Sequence, residues 1–449
     1  MSSPEDRQVL IDELVQKYRK QLQEQLSEEA KTLDQIEEVA GRIGRRVSQD
    51  VQQHLAQKRA KSARQKRQDC PCGAQARYKG RQPRSIVTLH GVLRLHRAVY
   101  HCPTCQPSFA PADARLSLDA GSTTPCVRHY AAYLAALVPF AQAATTLALL
   151  SKVSLSAATI ERIACAVGAS LQKQQQEQVQ AHHQDRLPQP DLKARRRLYI
   201  GMDGVFVPLR DAWKHDGSQG GLHCRFGECK VGVLYEPHQD PSGKDTKVAA
   251  RAYTATLAPA EAFGPLLGTL AHQQGHHRCR DLVVLADGAP WIRQIAAKQF
   301  TGVVQIVDFF HASQHLALLA QARFGSDTEE AKAWLHARQD DLKNERLESV
   351  LTEILAWRAR GEGKRQLRRT TYLYFVNNAH RMRYKTFLEK GYHIGSGVIE
   401  AGCKHLVTQR MKQAGMHWRQ ESAEAILTLR AAQLSTHPPD LRPHCALPV

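Results

Sequence analysis

This 449-residue chain lacks any apolar run approaching the roughly 18 residues needed to span a membrane. Its opening, Met1-Ser-Ser-Pro-Glu-Asp6, has no apolar segment of the kind a secretory signal requires. A soluble, cytoplasmic protein is the expectation. Acidic residues are scarce as well: 43 Asp+Glu stand against 62 Lys+Arg, a formal net charge of +19. Such a surplus favours a polyanionic partner, because neutralising phosphates releases their condensed counterions. Charge alone does not choose among DNA, RNA and an anionic membrane surface. The 11 cysteines are too few and too scattered for a disulfide framework in a chain of this length. Four of them cluster, which points to metal. With 42% hydrophobic and 23% charged residues most of the chain should fold, and its length suits about two to four domains.

Residues 1–60 read as helical. Ile11, Val15, Tyr18, Leu22, Leu26, Leu33, Ile36, Ile43 and Val47 recur at steps of three, four or seven, and Ser3-Pro4 makes a good helix start. This pattern fits a dimerising coiled coil or an amphipathic helix packed on its own chain, with Gly41 and Gly44 interrupting it. A basic run from Lys58 to Arg67 follows and suits phosphate contact. Residues 69–118 then have the layout of a zinc ribbon. Cys70-Pro-Cys72 and Cys102-Pro-Thr-Cys105 flank two strand-like stretches, so a hairpin would bring two thiolate pairs around a tetrahedral Zn²⁺. The first pair is one residue shorter than the usual spacing, and Asp69, His90, His96 and His101 are possible substitute ligands. Four thiolates leave no open coordination position, which makes the metal structural.

Residues 122–170 resemble a helix-turn-helix module, with helices from Pro125 to Leu137, Phe140 to Ser151, and Ser156 to Gly168. An ordinary helical bundle is the plainer reading, since Ala157 to Arg162 is poor in bases. Residues 171–197, rich in Gln and His and holding Pro188 and Pro190, read as a linker or a helix leading to a domain boundary.

From Leu198 onward β and α elements alternate. Strands are expected at Leu198–Met202, Cys229–Tyr235, Arg251–Leu257, Asp281–Ala286 and Gly302–Val307, with helices at Ala260–His272 and Pro290–Gln299. Three strands followed by helix, strand, helix, strand is the order of an RNase H-like fold. Asp203 and Asp287 each close an apolar run, and Glu400 opens an expected helix. Two strand-end carboxylates and one helix-borne carboxylate can hold two Mg²⁺ ions about 3.5–4 Å apart for in-line phosphoryl transfer. Any single strand-end aspartate is more often a turn or cap residue. The core would occupy residues 198–321 and 395–432, divided by an all-α insertion at 322–394 that accounts for the 113-residue step from Asp287 to Glu400. Residues 433–449 read as a disordered tail. Lys404, Arg410 and Lys412 follow Glu400 on one helical segment and suit contact with the DNA backbone, and Trp418 suits stacking on a base or a place in the core. Cys224, Cys229 and His223 lack a second cysteine pair nearby, which argues against a second zinc site.

Over residues 69–432 the chain resembles bacterial insertion-sequence transposases of the ISKra type, related to the Mutator-like DDE superfamily. The resemblance rests on both cysteine pairs, Gly201-Met-Asp203-Gly, Ala286-Asp287-Gly-Ala-Pro-Trp291 and Val307-Asp308-Phe-Phe-His311. It continues through Gly395-Ser-Gly-Val-Ile-Glu400-Ala-Gly-Cys-Lys404, Gln409-Arg-Met-Lys412 and Gly415-Met-His-Trp418. It implies a DNA transposase with Asp203, Asp287 and Glu400 as Mg²⁺- or Mn²⁺-binding catalytic acids and Asp308 and His311 as a supporting motif. The implied partners are the element's terminal inverted repeats and target DNA, and pairing two ends implies a homodimer or larger assembly. An RNase H-like nuclease that only cuts, and a non-catalytic zinc-ribbon regulator derived from a transposase, are the competing readings.

Overall fold

The computed structural model describes residues 8–9, 11–13, 15–19, 32–61, 65–210, 224–239 and 245–446. The expected helix start at Ser3-Pro4, the apolar positions Leu22 and Leu26, and His223 lie outside them. The architecture is mixed α/β with two sheets, and the chain divides into two compact units. One comprises residues 1–135, 139–163 and 441–449, the other residues 136–138 and 164–440.

In the first unit, helix α1 (Leu33–Ala60) opens with a capping box: Thr32 accepts from the Gln35 amide and the Gln35 side chain accepts from the Thr32 amide. Strands β1 (Arg67–Asp69), β2 (Gln75–Thr88), β3 (Gly91–His101) and β4 (Ser108–Phe109) pair antiparallel in chain order. Three glutamines on α1 bind the outer edge of β3. Gln49, Gln53 and Gln57 donate to the carbonyls of Val92, Arg94 and His96 at 3.3, 2.9 and 3.1 Å. Gln53 and Gln57 also accept from the amides of Arg94 and His96, each at 2.9 Å. Four helical residues rise about 6 Å and two strand residues about 6.8 Å, so a glutamine every fourth position keeps pace with every second strand residue. The helix thus spends this face on its own chain, while Ile36, one of the apolar positions read as a seam, is 51% exposed.

Helices α2 (Pro111–Arg115), α3 (Pro125–Leu137), α4 (Phe140–Ser151) and α5 (Ala157–His183) follow. The last decides between the linker and the helix read for residues 171–197, since helix continues through the glutamine-rich stretch to His183. Glutamine is a good helix former, and the first helix breaker is Pro188. The expected disordered tail is corrected. A 3₁₀ turn spans Arg442–Cys445, and the buried Cys445 carbonyl accepts from Arg128 Nε at 2.5 Å.

In the second unit, strands β5 (Arg195–Arg210), β6 (Cys224–Gln239) and β7 (Asp245–Thr256) form an antiparallel meander. Helix α6 (Ala260–Gln273), strand β8 (Cys279–Ala286), helix α7 (Pro290–Gln299) and strand β9 (Val304–Val307) complete the layer. β8 pairs parallel to β5 and β9 parallel to β8, giving the order β7-β6-β5-β8-β9. Side chains alternate across the sheet. Leu198, Ile200, Met202, Val284 and Ala286 enter a core with Phe263, Leu267, Ile292 and Ile295 from α6 and α7. Tyr199, Gly201 and Asp203 therefore face the opposite side.

Helices α8 (Phe309–Phe324), α9 (Glu329–Lys343), α10 (Leu347–Ala356), α11 (Glu362–Asn378) and α12 (Tyr384–Glu389) fill the interval before helix α13 (Gly397–Cys403). Residues 404–408 are π-helical, then α14 (Gln409–Met411) and α15 (Gln420–Leu434) end the unit's helices.

Candidate active site and candidate metal centre

Asp203 does not close its strand as expected. The meander partner β6 carries β5 on to Arg210, with Asp203 opposite Val231. It is the parallel pairing to β8 that ends here, at Met202 beside Ala286, while Ala286 pairs with Val307 of β9. Asp203, Asp287 and Asp308 are thus the next residues past one level of three adjacent strands. On the face that Asp203 occupies, a Cβ on Gly201 would stand 2.9 Å from Ile399 Cβ, so glycine there lets α13 lie directly on the sheet. Ile399 is buried against the sheet and its neighbour Glu400 is exposed on the same helix.

Asp203 Oδ1 accepts from the Gly204 amide at 2.7 Å, and Oδ2 accepts from the Cys403 thiol at 3.4 Å. Burial raises the Asp203 pKa, opposed by those donors and reinforced by the charges of Asp287 and Glu400. The same site acts on its donor: burial, then Asp203, pushes the Cys403 thiol far above its usual value. Asp287 Oδ1 accepts from the Ala289 amide at 2.9 Å, and Tyr374 donates its hydroxyl to the Asp287 carbonyl at 2.9 Å. Ser396 Oγ donates to Glu400 Oε1 at 3.0 Å. The charges of Asp287 and Glu400 both act on Asp203, and each of the three acids is held by its own donor.

Asp308 differs. It is fully buried and both its oxygens are engaged: one caps α8 by accepting from the His311 amide at 2.5 Å, the other accepts from the Ser396 amide. Its role is to tie β9 and α8 to the loop that carries Ser396 and, through it, Glu400. His311 lies half-buried with its ring 5.2 Å from His315, which stacks on Tyr374 at 4.0 Å. Lys404 and Lys412 are exposed. Arg410 corrects the expectation of DNA contact, because it is buried with its guanidinium 5.0 Å from the Trp418 indole centroid, and of its two readings Trp418 takes the place in the core. The π-helical residues 404–408 shift the side-chain register after Glu400, and Trp418 Nε1 donates to the Met411 carbonyl at 3.0 Å.

The four cysteines of the first unit come together. Cys70 and Cys105 sulfurs are 3.4 Å apart, Cys72 and Cys102 sulfurs 3.6 Å, and all four lie within 4.8 Å of one another. Tetrahedral Zn²⁺ with bonds of about 2.3 Å needs sulfurs about 3.8 Å apart, so this cluster can hold a metal such as zinc. Two tight turns build it. Gly73, at φ +85°, donates to the Cys70 carbonyl, and Gln106, at φ +64°, donates to the Cys102 carbonyl. The Cys105 amide, with that of Thr104, lowers the Cys102 thiol to about 6, which favours the thiolate a metal requires. Among the described residues no second such group occurs. Cys224 and Cys229 are five positions apart on β6, which puts them on opposite faces, one exposed and one buried.

Motif reading gave no role to Ser396 or Cys403. The signal was their spacing, four before and three after Glu400 on one helical path.

Over residues 29–440 the chain matches UPF0236, described as an uncharacterised protein family, and it belongs to that family. Comparison with curated proteins gives no match. Among solved structures, a chain of the Drosophila P element transposase strand transfer complex matches at 9% identity and a TM-score of 0.21, covering 72% of this chain and 81% of that one. A likeness that low carries no argument about fold or activity. Among the described residues, no helix is long and apolar enough to cross a membrane.

Proposed function

We propose that this protein is a DDE-class DNA transposase, similar to the ISKra-type, Mutator-like enzymes of bacterial insertion sequences, acting on DNA in the cytoplasm. The observation that carries the reading is that Asp203 and Asp287 stand one residue past the paired Met202 and Ala286 of β5 and β8, while α13, which bears Glu400, lies on the Asp203 face with Ile399 against Gly201. The strand order β7-β6-β5-β8-β9 supports an RNase H-like core, with residues 322–394, which hold α9 to α12, as its all-α insertion.

The acids suit divalent metal. A buried carboxylate raised in pKa by two neighbouring carboxylates is stabilised by a nearby cation. The three acids do not offer oxygens all within 4.8 Å of one another, as the thiols do. In a two-ion site the outer acids serve different ions about 3.5–4 Å apart, with one acid shared, so that tight mutual spacing is not required. Asp203, Asp287 and Glu400 would together hold the ions. Mg²⁺ or Mn²⁺ bound there would supply Lewis-acid stabilisation of the attacking and leaving oxygens. The chain's own residues fix that geometry: Ser396 orients Glu400, Asp308 anchors Ser396, and the Gly204 amide orients Asp203. Water then attacks the phosphodiester at an element end, forming one P–O bond and breaking the one opposite. The freed 3′-OH repeats the displacement on target DNA. Lys404 and Lys412 are exposed beyond Glu400 and suit backbone phosphates. Helices α3 to α5 serve as a helix-turn-helix-like DNA module, the cysteine module holds structural zinc, and a homodimer pairs two ends.

The test is strand cleavage and joining on labelled duplexes carrying the DNA that flanks the gene. Wild type is compared with Asp203→Asn and Glu400→Gln. Metal-dependent nicking plus joined products, lost in both variants, supports the proposal. Cutting without joining replaces it with a nuclease. End-binding without chemistry, unchanged in both variants, leaves a DNA-binding regulator.

A further inference from the structure

Helix α7 begins three residues after Asp287, and its start is electrostatically unusual. Its N-cap is Ala289, which offers no side-chain acceptor, its first turn contains no acid, and the one carboxylate bonded at its start is Asp287, whose Oδ1 accepts from the Ala289 amide. Arg293 lies there instead, exposed, at the positive end of a ten-residue helix. That placement opposes the helix dipole, but it is what an anion requires.

A second observation comes from another element. Arg381, in the turn after α11, is 5% exposed, and its Nε is buried without a hydrogen-bond partner. Its Nη2 donates to Asn378 Oδ1. Among the described residues no carboxylate pairs with Arg381 or Arg293, although buried cations are normally paired. The two guanidiniums act on each other: burial, then the charge of Arg293, lowers the Arg381 pKa, opposed by Tyr374 and Asp287, and both arginines lower the pKa of His380. Arg381 reaches the turn at Gly288 through Asn378. That glycine has φ +92°, and a Cβ there would stand 3.2 Å from Asn378 Oδ1. Tyr374 secures α11 to the same turn through the Asp287 carbonyl.

We propose that the Gly288 turn, Arg293 and Arg381 form a phosphate-binding subsite beside Asp287, which grips a nucleic-acid backbone phosphate next to the bond being cut. Its ligand assignment rests on the transposase reading. Its anion chemistry does not. Arg293 is the outer, guiding contact and Arg381 the inner one, whose charge is satisfied when phosphate oxygens approach.

The experiment uses the full-length protein, with Ca²⁺ replacing Mg²⁺, and fluorescence anisotropy of a labelled duplex across a salt series. Wild type is compared with Arg293→Gln and Arg381→Gln. Arg293→Gln is expected to weaken binding about tenfold and to reduce the slope of log affinity against log salt by about 0.9. Mn²⁺ binding at the acids, read by electron paramagnetic resonance, should be unchanged in that variant. Wild-type DNA affinity and slope in both variants would overturn the subsite while leaving the transposase reading intact. So would an Arg381→Gln variant that alters Mn²⁺ affinity alone, because Arg381 would then only balance Asp287. If wild type binds no duplex, the transposase reading falls, and thermal shift with inorganic pyrophosphate decides the subsite. Stabilisation of wild type but not of Arg293→Gln retains it, and equal or no stabilisation in the two overturns it.

Discussion

The cysteine cluster and the acid cluster solve opposite problems. Four thiols are brought within 4.8 Å by two turns, the second of which lowers the Cys102 thiol to about 6 through the amides of Cys105 and Thr104. The acids are spaced more widely, and Asp203 is held with its pKa raised by burial and by its neighbours. One arrangement is a closed, preformed ligand set whose ion would bind chain to chain. The other is a set of restrained, mutually repelling charges that folding tolerates. The difference separates a site that builds structure from a site that the structure carries as a burden, and substitutions should move stability in opposite directions at the two.

The largest effect should follow Cys102→Ser. Loss of one of four thiolates removes most of the metal's contribution to folding, on the order of 5 kcal/mol or more. The expected outcome is loss of bound zinc and protease cleavage within residues 65–118, measured by elemental analysis and limited proteolysis. Full zinc content with a protected β2–β3 hairpin would break the comparison. Next in size, Asp203→Asn and Glu400→Gln should each slow strand cleavage about 10³-fold, roughly 4 kcal/mol of barrier, without loss of fold. Cleavage rates beside circular dichroism melts check this, and a variant that melts early would mean that the acid builds structure after all.

Asp308 sharpens the contrast, since in sequence it resembles Asp203 and Asp287. All three follow apolar strands, and a pattern of residue types does not distinguish them. Burial and partners do: Asp308 satisfies two backbone amides, so Asp308→Ala strands both and should destabilise the second unit by about 3 kcal/mol. Denaturant melts measure it, and Asp308→Asn, which keeps one acceptor, should recover part of the loss. An unchanged midpoint would remove Asp308 from its positioning role.

The strands and helices around the acids were legible because alternation and turn residues agree there, as at Pro290–Gln299, whose expected and observed limits coincide. Of the two readings of α1, packing on its own chain is what the structure has, but the contact that the glutamines Gln49, Gln53 and Gln57 make with backbone groups of β3 leaves no hydrophobic period to read. The inward turn of Arg410 was hidden because a π-helical stretch has no residue signature that resets the count. The four cysteines were legible as a set because tetrahedral ligation tolerates a C-x-C knuckle when glycine follows it.

The smallest effect is the most specific. Burial first, then Asp287 and Glu400, raises the folded-state pKa of Asp203 above the unfolded value of 3.8, so the folded protein binds that proton more readily. Below the unfolded value the carboxyl is protonated in both states and contributes nothing. As pH rises through the window up to the folded value, the unfolded chain ionises first and stability falls. Above that window the penalty is complete. Asp203→Asn cannot titrate, so in magnesium-free buffer with zinc retained it should melt above wild type at neutral pH, by about 2 °C. The gap should shrink as pH falls toward 4. Added Mg²⁺ should raise the wild-type melting temperature and leave the variant nearly unmoved, closing or reversing the gap. A gap that is constant across pH would mean that the asparagine acts through packing, and the opposition between the two sites would then rest on the cysteines alone.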